Sequence, residues 1–587
     1  MGTWVLRPLR LPGGIEAAAL RVLVGLSLCA VLIVVVGSVS LRASQLVLIG
    51  LAIAGLALEL LYSRRGVKAA GTGQRPRYRR DVLEWICLAA VAGGLGLSLI
   101  GALAPATDWD ACVAHLALPM DYAREGRILL VPGNEYSVYP HLVHSLFAQV
   151  YFRLGEVGAN LLNWVFGALA CAAAYGLGRR VQGRRCGVIA AAILATAPIF
   201  LDQAAAASVD MAFCGLTLAA LCALMAWRGE GRTGWLLLAA FLAGSSCGVR
   251  HTGYLVCVFL AVGVFAAARG RRLRAAVAFA AVALVGAAPW LLRSAVLVGN
   301  PVYPFFASVF GSHDAGHWNV TALGAHGTIR GTGFGELLMF PWDIVMRPEK
   351  FDGWTKSPGG LVLFLGIPGL VVGGRRARAL GAFAGAGLVS FFYFQRFARY
   401  LLPFLAPMMV VAGAAVCRLT TLRHAVGAVL VAALGFGLAL DAAAVHFKVG
   451  VILGLEPRTE YLMRRVERYP AFKWASENLP SDEVVLSFDR RTYYLGGRTW
   501  QNDEPFLTLC EQSLPEQLAW MKAHHIQWVF LPVTYVEESR AYRGSMLEML
   551  RKWRISRQHF TPVYGADLPR PRSPGTERVE VYEVRYE

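Results

Sequence analysis

The sequence predicts a polytopic α-helical membrane protein that carries a small α/β domain after its last span. Three observations lead there. Of 587 residues, 56% are hydrophobic and 16% are charged, with a mean hydropathy of +0.49, whereas about a quarter of a soluble domain is charged. The apolar residues gather into runs of membrane length separated by polar connections. From about residue 446 the chain becomes charged and alternates short strand-like and helix-like runs.

Taken in order, the apolar runs fall at about 17–37, 44–62, 83–104, 157–178, 186–200, 209–227, 234–249, 253–268, 275–292, 358–373, 379–394, 400–417 and 425–443, about thirteen spans. Arg7 and Arg10 precede the first run, no small-residue cleavage site follows it, and a second span comes soon after. It therefore reads as an uncleaved first span. Four connections are basic: Arg64, Arg65, Lys68, Arg75, Arg77, Arg79 and Arg80; Arg179, Arg180, Arg184 and Arg185; Arg269, Arg271, Arg272 and Arg274; Arg375, Arg376 and Arg378. Counting spans puts all four on the side of the N-terminus, which makes that side cytoplasmic. The net charge of +19 is thus a membrane-topology signal, with no nucleic-acid partner implied. Residues 1–445 form the membrane domain, with external loops at 105–156 and 293–357, and residues 446–587 an extracytoplasmic α/β domain.

Within the first loop, 139–153 is apolar but short and carries His141 and His144. A crossing there would invert every later basic connection, so it is expected as an interfacial helix. The loop at 293–357 shows little helix or strand pattern and has the length of a lid. Asn319-Val320-Thr321 reads as a chance sequon. In the tail, helices are expected at Phe472–Asn478, Pro515–His524 and Ser545–Trp553, and strands at Glu483–Phe488, Gln527–Pro532 and Val579–Arg585. Most of the eleven Cys lie inside apolar runs, Cys112 and Cys510 excepted, and no metal-ligand spacing, Walker sequence or Gly-rich nucleotide fingerprint occurs. The tail carries no catalytic motif and is expected to shape or recruit an acceptor.

Chemistry concentrates in PATDWDACVAHLALPMDYAREGRILLVPGNEYSVYPHLVH, residues 105–144. Carboxylates at the rim of a span are costly to desolvate and sit in a cavity or beside a cation. Asp108 and Asp110 stand where a span ends, a place suited to a catalytic base or a divalent metal; the alternative is an ordinary solvated loop.

The stretch WDACVAHLALPMDYAREGRI resembles the first external loop of bacterial polyprenyl-phosphate-dependent glycosyltransferases of the GT-C superfamily, which includes protein O-mannosyltransferases and lipid A aminoarabinose transferases. Asp110, His115, Leu116, Leu118 and Pro119 match its Asp-Ala-Leu-x-Tyr-His-Leu-x-Leu-Pro pattern; Cys112 and Ala114 stand where relatives carry Leu and Tyr. Three further patches agree in order: Ser208-Val209-Asp210; Ala288-Pro289-Trp290-Leu291-Leu292-Arg293 with Gly299-Asn300-Pro301-Val302-Tyr303-Pro304; and Arg399-Tyr400-Leu401-Leu402-Pro403. The resemblance covers roughly 83–443, and the tail resembles the external domain of some members.

It implies a GT-C-like fold in a bacterial inner membrane and an inverting transfer from a polyprenyl-phosphate sugar donor to a lipid, glycan or protein acceptor at the outer face. Asp110 is then the expected base, with a helix N-cap as its alternative. Asp108 and Asp110, with Asp210, are a possible site for Mg²⁺ or Mn²⁺; Asp108 otherwise reads as solvated and Asp210 as an N-cap beside Ser208. Arg250 and His251 lie on the outer side, where positive-inside bias disfavours Arg, so an anionic lipid phosphate is one reason for them; snorkelling is the other. Arg396 and Arg399 share a helix face and, with Tyr400, suit the donor phosphate or simple interface anchoring. His115, His141 and His144 are cavity candidates. A flippase or transporter of a lipid-linked substrate is the competing class, expected to show inverted repeats, and a non-catalytic scaffold is the third.

Overall fold

A computed structural model describes residues 1–9, 14–64, 81–268, 270–311, 333–351, 353–394, 397–501, 509–538, 544–571 and 574–586. Arg396, the 319–321 sequon, Arg269 and most of the first basic connection lie outside the described residues.

Among the described residues, ten helices are long and apolar enough to cross a membrane: Ile15–Gly37, Leu41–Leu58, Val82–Leu103, Leu142–Gln182, Asp210–Glu230, Arg272–Val298, Trp354–Val372, Gly374–Phe394, Ala398–Arg418 and Arg423–Ile452. The pair Arg184–Ala195 and Pro198–Ala204 is long and apolar enough only when taken together, and it is bent by 68° between its two pieces. Pro198 opens the second piece, where its ring suits a first turn but not an interior. The expected thirteen are not reached because Thr233–Cys247 and Gly253–Ala267 have only 15 residues each. At about 1.5 Å per residue that is about 22 Å, short of a hydrocarbon core of about 30 Å.

Two helices form the centre. In Asp210–Glu230 and Ala398–Arg418, 89% of the apolar stretch is buried, against 17% for Leu41–Leu58 and 28% for Arg272–Val298. The outer helices present Trp85, Leu284, Val285 and Leu292 outward, as a hydrocarbon-facing surface requires. Small residues let the helices approach. A Cβ on Gly94 would collide with the Ala195 carbonyl, and one on Gly244 with that of Ala283. Lipid is as apolar as a side chain, so close contact of this kind supplies much of the association.

The 139–153 segment departs from expectation. It begins the helix Leu142–Gln182, interrupted at Gly155 (φ 60°, ψ −150°), a backbone state that favours glycine. Every residue from Leu142 to Gln149 is buried, whereas a helix lying on an interface would leave one face open; the segment belongs to the core. The 293–357 loop differs too. The preceding helix runs on to Val298, and Phe334–Met346 is a helix of 13 residues.

The tail forms a five-stranded sheet: β1 Val484–Ser487, β2 Arg498–Trp500, β3 Ile526–Pro532, β4 Phe560–Pro569 and β5 Thr576–Val584, in the order β2-β1-β3-β5-β4. β1 runs parallel to β2 and β3, and β5 antiparallel to β3 and β4. Helices Tyr469–Asn478, Leu514–Ala523 and Ser545–Ile555 accompany it. The three expected strands and helices appear; β2 and β4, both at sheet edges, were not anticipated.

Gly94→Leu should therefore lower the thermal unfolding temperature in detergent, the overpacking costing about 1–3 kcal/mol. Gly96→Leu, at a position open to its surroundings, should leave it unchanged.

Candidate functional site

Four separate segments converge at one end of the two central helices. The first follows the helix Val82–Leu103. Asp108 Oδ1 accepts the Ala111 N–H at 3.1 Å, starting a wide helical turn over Ala111–His115 that continues into Ala117–Glu125. The capping bond open to Asp110 is thus made by Asp108, and the Asp110 side chain turns to an ion pair with Arg399.

Arg399 stands on the tight turn Ala398–Leu401 that leads into the central helix Leu402–Arg418. Its neighbour Tyr400 links it to the next pair. The Arg250 guanidinium lies 3.7 Å from the Tyr400 ring centre and that of Arg399 5.0 Å away, both within cation–π reach. Arg250, in the bend between the two short helices, is ion-paired with Asp210, the first residue of the other central helix. Ser208 Oγ accepts the Asp210 N–H at 3.2 Å and donates to Gln203 Oε1 at 2.9 Å. The result is an alternating row: Asp110, Arg399, the Tyr400 ring, Arg250, Asp210.

Exposure separates the two carboxylates. The Asp210 side chain is 4% exposed and Asp110 26%, so only Asp110 offers itself to a ligand. The Asp108 carboxyl is shifted upward by burial and by repulsion from Asp110, against Lys356, the Ala111 N–H and Arg399. Asp108, Asp110 and Asp210 do not gather into one ligand set. Asp110 and Asp210 each face an arginine, and among the described residues no group of three or more His, Cys, Asp or Glu is placed to hold a metal.

His115 Nδ1 and His144 Nε2 are 2.9 Å apart. Burial, then the charges of Arg250 and Arg399, push the His115 pKa down to about 3, so it is neutral at neutral pH. His141 sits behind, 2.8 Å from the Tyr122 hydroxyl. His251 packs among rings, edge-on to Tyr139 and Phe305, each at 5.2 Å. Arg293 donates to the Ser137 carbonyl at 2.7 Å, and Asn300 folds its own turn, accepting the Val302 N–H at 3.0 Å and donating to the Phe305 carbonyl at 2.9 Å.

Several neighbours were not legible in the sequence. The tail clasps the first loop. Arg490 pairs with buried Glu135 and lies over the Tyr136 ring; Arg124 donates to the carbonyls of Gly496 and Gly497 at 2.6 and 3.0 Å. Gln501 donates from Nε2 to the Val113 carbonyl at 2.9 Å and from its backbone N–H to Gly133 at 3.0 Å. A second charged group surrounds Asp108, where Asp202 senses Lys356, and Lys448 senses both aspartates. The lone Lys448 among apolar residues was the available signal for that group; nothing in the sequence links Arg490 to Glu135.

Breaking the Arg490–Glu135 pair should be costly because Glu135 is 3% exposed. Arg490→Gln should destabilise by about 3–5 kcal/mol, read as a lower unfolding temperature, and the double variant Arg490→Gln/Glu135→Gln should recover part of it.

Comparisons with known proteins agree with this architecture. Residues 139–292 match the family model described as dolichyl-phosphate-mannose-protein mannosyltransferase. Across 86% of this chain and 98% of theirs, the fold is similar to two crystal structures of ArnT from Cupriavidus metallidurans. One is bound to undecaprenyl phosphate (15% identity, TM-score 0.56) and the other is in the apo state (14% identity, TM-score 0.52). No curated protein sequence matches the chain. The chain shares the fold of these ArnT structures, which agrees with the fold that the first-loop resemblance implies.

Proposed function

We propose that the protein is an inverting membrane glycosyltransferase that moves a sugar from a polyprenyl-phosphate donor to a lipid, glycan or protein acceptor at the extracytoplasmic face. The observation that carries the reading is the row Asp110–Arg399–Tyr400–Arg250–Asp210, with its one solvent-accessible, half-buried carboxylate at the first-loop end. The matching family model and the undecaprenyl phosphate bound by the similar ArnT structure support the class of donor.

In this reading Asp110 takes the proton of the acceptor nucleophile as that atom bonds to the anomeric carbon. The bond from that carbon to the phosphate oxygen breaks, and its electron pair stays on the polyprenyl phosphate. Negative charge therefore grows where a cation is needed. A guanidinium carries five N–H donors, more than one carboxylate oxygen engages, so Arg399 can orient Asp110 and still face the phosphate. Arg250 supplies the second positive charge, fixed by sealed Asp210. Asp108 holds the turn that aims Asp110. His115, neutral, is a hydrogen-bonding wall of the pocket.

Washed membranes given a radiolabelled polyprenyl-phosphate sugar test the class. Transfer of label marks the enzyme; vesicle uptake without transfer marks a transporter, and neither marks a scaffold. Asp110→Asn, isosteric and without basicity, should fold and lower transfer by about 10²–10⁴-fold; wild-type transfer by that variant would remove Asp110 from the mechanism. In the same assay, transfer that survives EDTA assigns charge compensation to the arginines. Transfer abolished by EDTA assigns it to Mg²⁺ or Mn²⁺ at Asp108 and Asp110.

Arg250→Gln and Arg399→Gln should each weaken donor binding by about 1.5–3 kcal/mol, the worth of a charge-assisted hydrogen bond. Lys at either position should restore only part, lacking the bidentate fork. Titration of purified protein with donor decides this, and unchanged affinity in both Gln variants would clear the arginines of that role.

A further inference from the structure

At the opposite end of the bundle, three of the helices that position the charged row enclose a second feature. Asp210–Glu230 begins with Asp210, Gly253–Ala267 follows the Arg250 bend, and Gly374–Phe394 precedes the Arg399 turn. Their far ends surround a cavity of about 670 Å³, within the ~300–1,000 Å³ range of small-molecule sites. Its wall is apolar, with Leu224, Phe259, Val262, Gly263 and Phe383 among its residues. At its mouth stand Arg228, Arg375 and Arg378, all exposed.

The composition of this mouth is one-sided. No Asp or Glu lines the cavity, and among the described residues none of the three arginines makes an ion pair. Arg375 also lies in the first turn of Gly374–Phe394 and Arg378 at the start of the second, close to the N–H end that favours an anion. Two cations placed there would repel one another and the helix end, so a negative partner is what the arrangement lacks. The apolar wall directly beneath asks for hydrocarbon. A molecule with an anionic head and an acyl tail satisfies both.

We propose that this cavity binds an anionic phospholipid of the leaflet on the basic-connection side, its phosphate held by Arg228, Arg375 and Arg378 and an acyl chain lying along Phe259, Gly263 and Phe383. The lipid clamps together the far ends of the three helices that carry or flank Asp210, Arg250 and Arg399. It is distinct from the donor site, which lies at the other end of those helices, and the inference does not depend on which group the protein transfers.

Delipidated protein in detergent, titrated with phosphatidylglycerol or phosphatidylcholine and followed by intact-protein mass spectrometry, tests this. Both lipids carry a phosphate, but the choline cation of phosphatidylcholine is repelled by the three arginines, so phosphatidylglycerol should bind about tenfold or more tightly. The triple variant Arg228→Gln/Arg375→Gln/Arg378→Gln should erase that preference, and each single variant should reduce it. Gly263→Phe, at a position with open space beside it, should fill the cavity and block binding of both lipids while leaving the arginines intact. Arg271→Gln/Arg272→Gln/Arg274→Gln removes the same charge from a neighbouring basic connection and should bind as wild type. Equal affinity for the two lipids overturns the proposal. So does a loss in the control triple that matches the cavity triple, because binding would then be to basic surface in general.

Discussion

Charge pairing in a poorly hydrated interior is the constraint on which this structure turns. Asp210 and Arg250 lie among the most enclosed helices, and moving either out of water alone would cost several kcal/mol. Paired across the bundle end, each offsets much of the penalty of the other, and the Tyr400 ring passes the arrangement to the Arg399–Asp110 pair. The pairing ties down four segments at once: the first loop, the head of Asp210–Glu230, the bend after Cys247 and the turn before Leu402. A site assembled this way is preorganised. Its cations are already desolvated and oriented before any ligand arrives, which is the condition under which fixed charges stabilise a developing anion most strongly.

The first loop is held from the other side by the tail. Within the tail, burial alone would raise the Asp489 carboxyl, but Arg491 and Arg468 overcome it and hold it well below the usual carboxylate range. The network, closed by Glu577 on β5, is buried throughout. It rigidifies the stretch that presents Arg490, Gly496, Gly497 and Gln501 to the loop. Tyr494 adds a hydrogen bond to the Ala106 carbonyl at 2.6 Å, and Arg458 pairs with Glu156 where the loop ends. The tail is therefore a structural clamp on the first loop, and the position of Asp110 depends on both the membrane helices and the sheet.

Much of the architecture was legible without coordinates because it rests on local physics. Uninterrupted apolar runs have to become helices in hydrocarbon, where no water satisfies the backbone. Basic connections mark one side of the bundle. Strands β1, β3 and β5 declared themselves by β-branched runs between polar breaks. The readings that failed were those in which local pattern and environment part company. β4 contains Pro562, Gly565 and Pro569, residues that argue against a strand but are tolerated at an edge. The 139–153 segment resembled an interfacial helix because it is short and carries two histidines; in the structure Tyr122 and His115 supply those histidines with partners inside the core.

By itself, then, the sequence determined the membrane class, the order of helices, the α/β character of the tail and the candidacy of Asp110, Asp210, Arg250, Arg399 and Tyr400, since hydropathy and local motif report directly on a residue's own surroundings. Only the tertiary structure decided how those residues combine. It gave the cap to Asp108, sealed Asp210 and left Asp110 open, turned His251 into a cluster of rings, and brought Arg490 to Glu135 across 355 positions of chain. An ion pair is set by distance in space and by the water excluded around it, and neither quantity is written in the spacing of two residues along a chain.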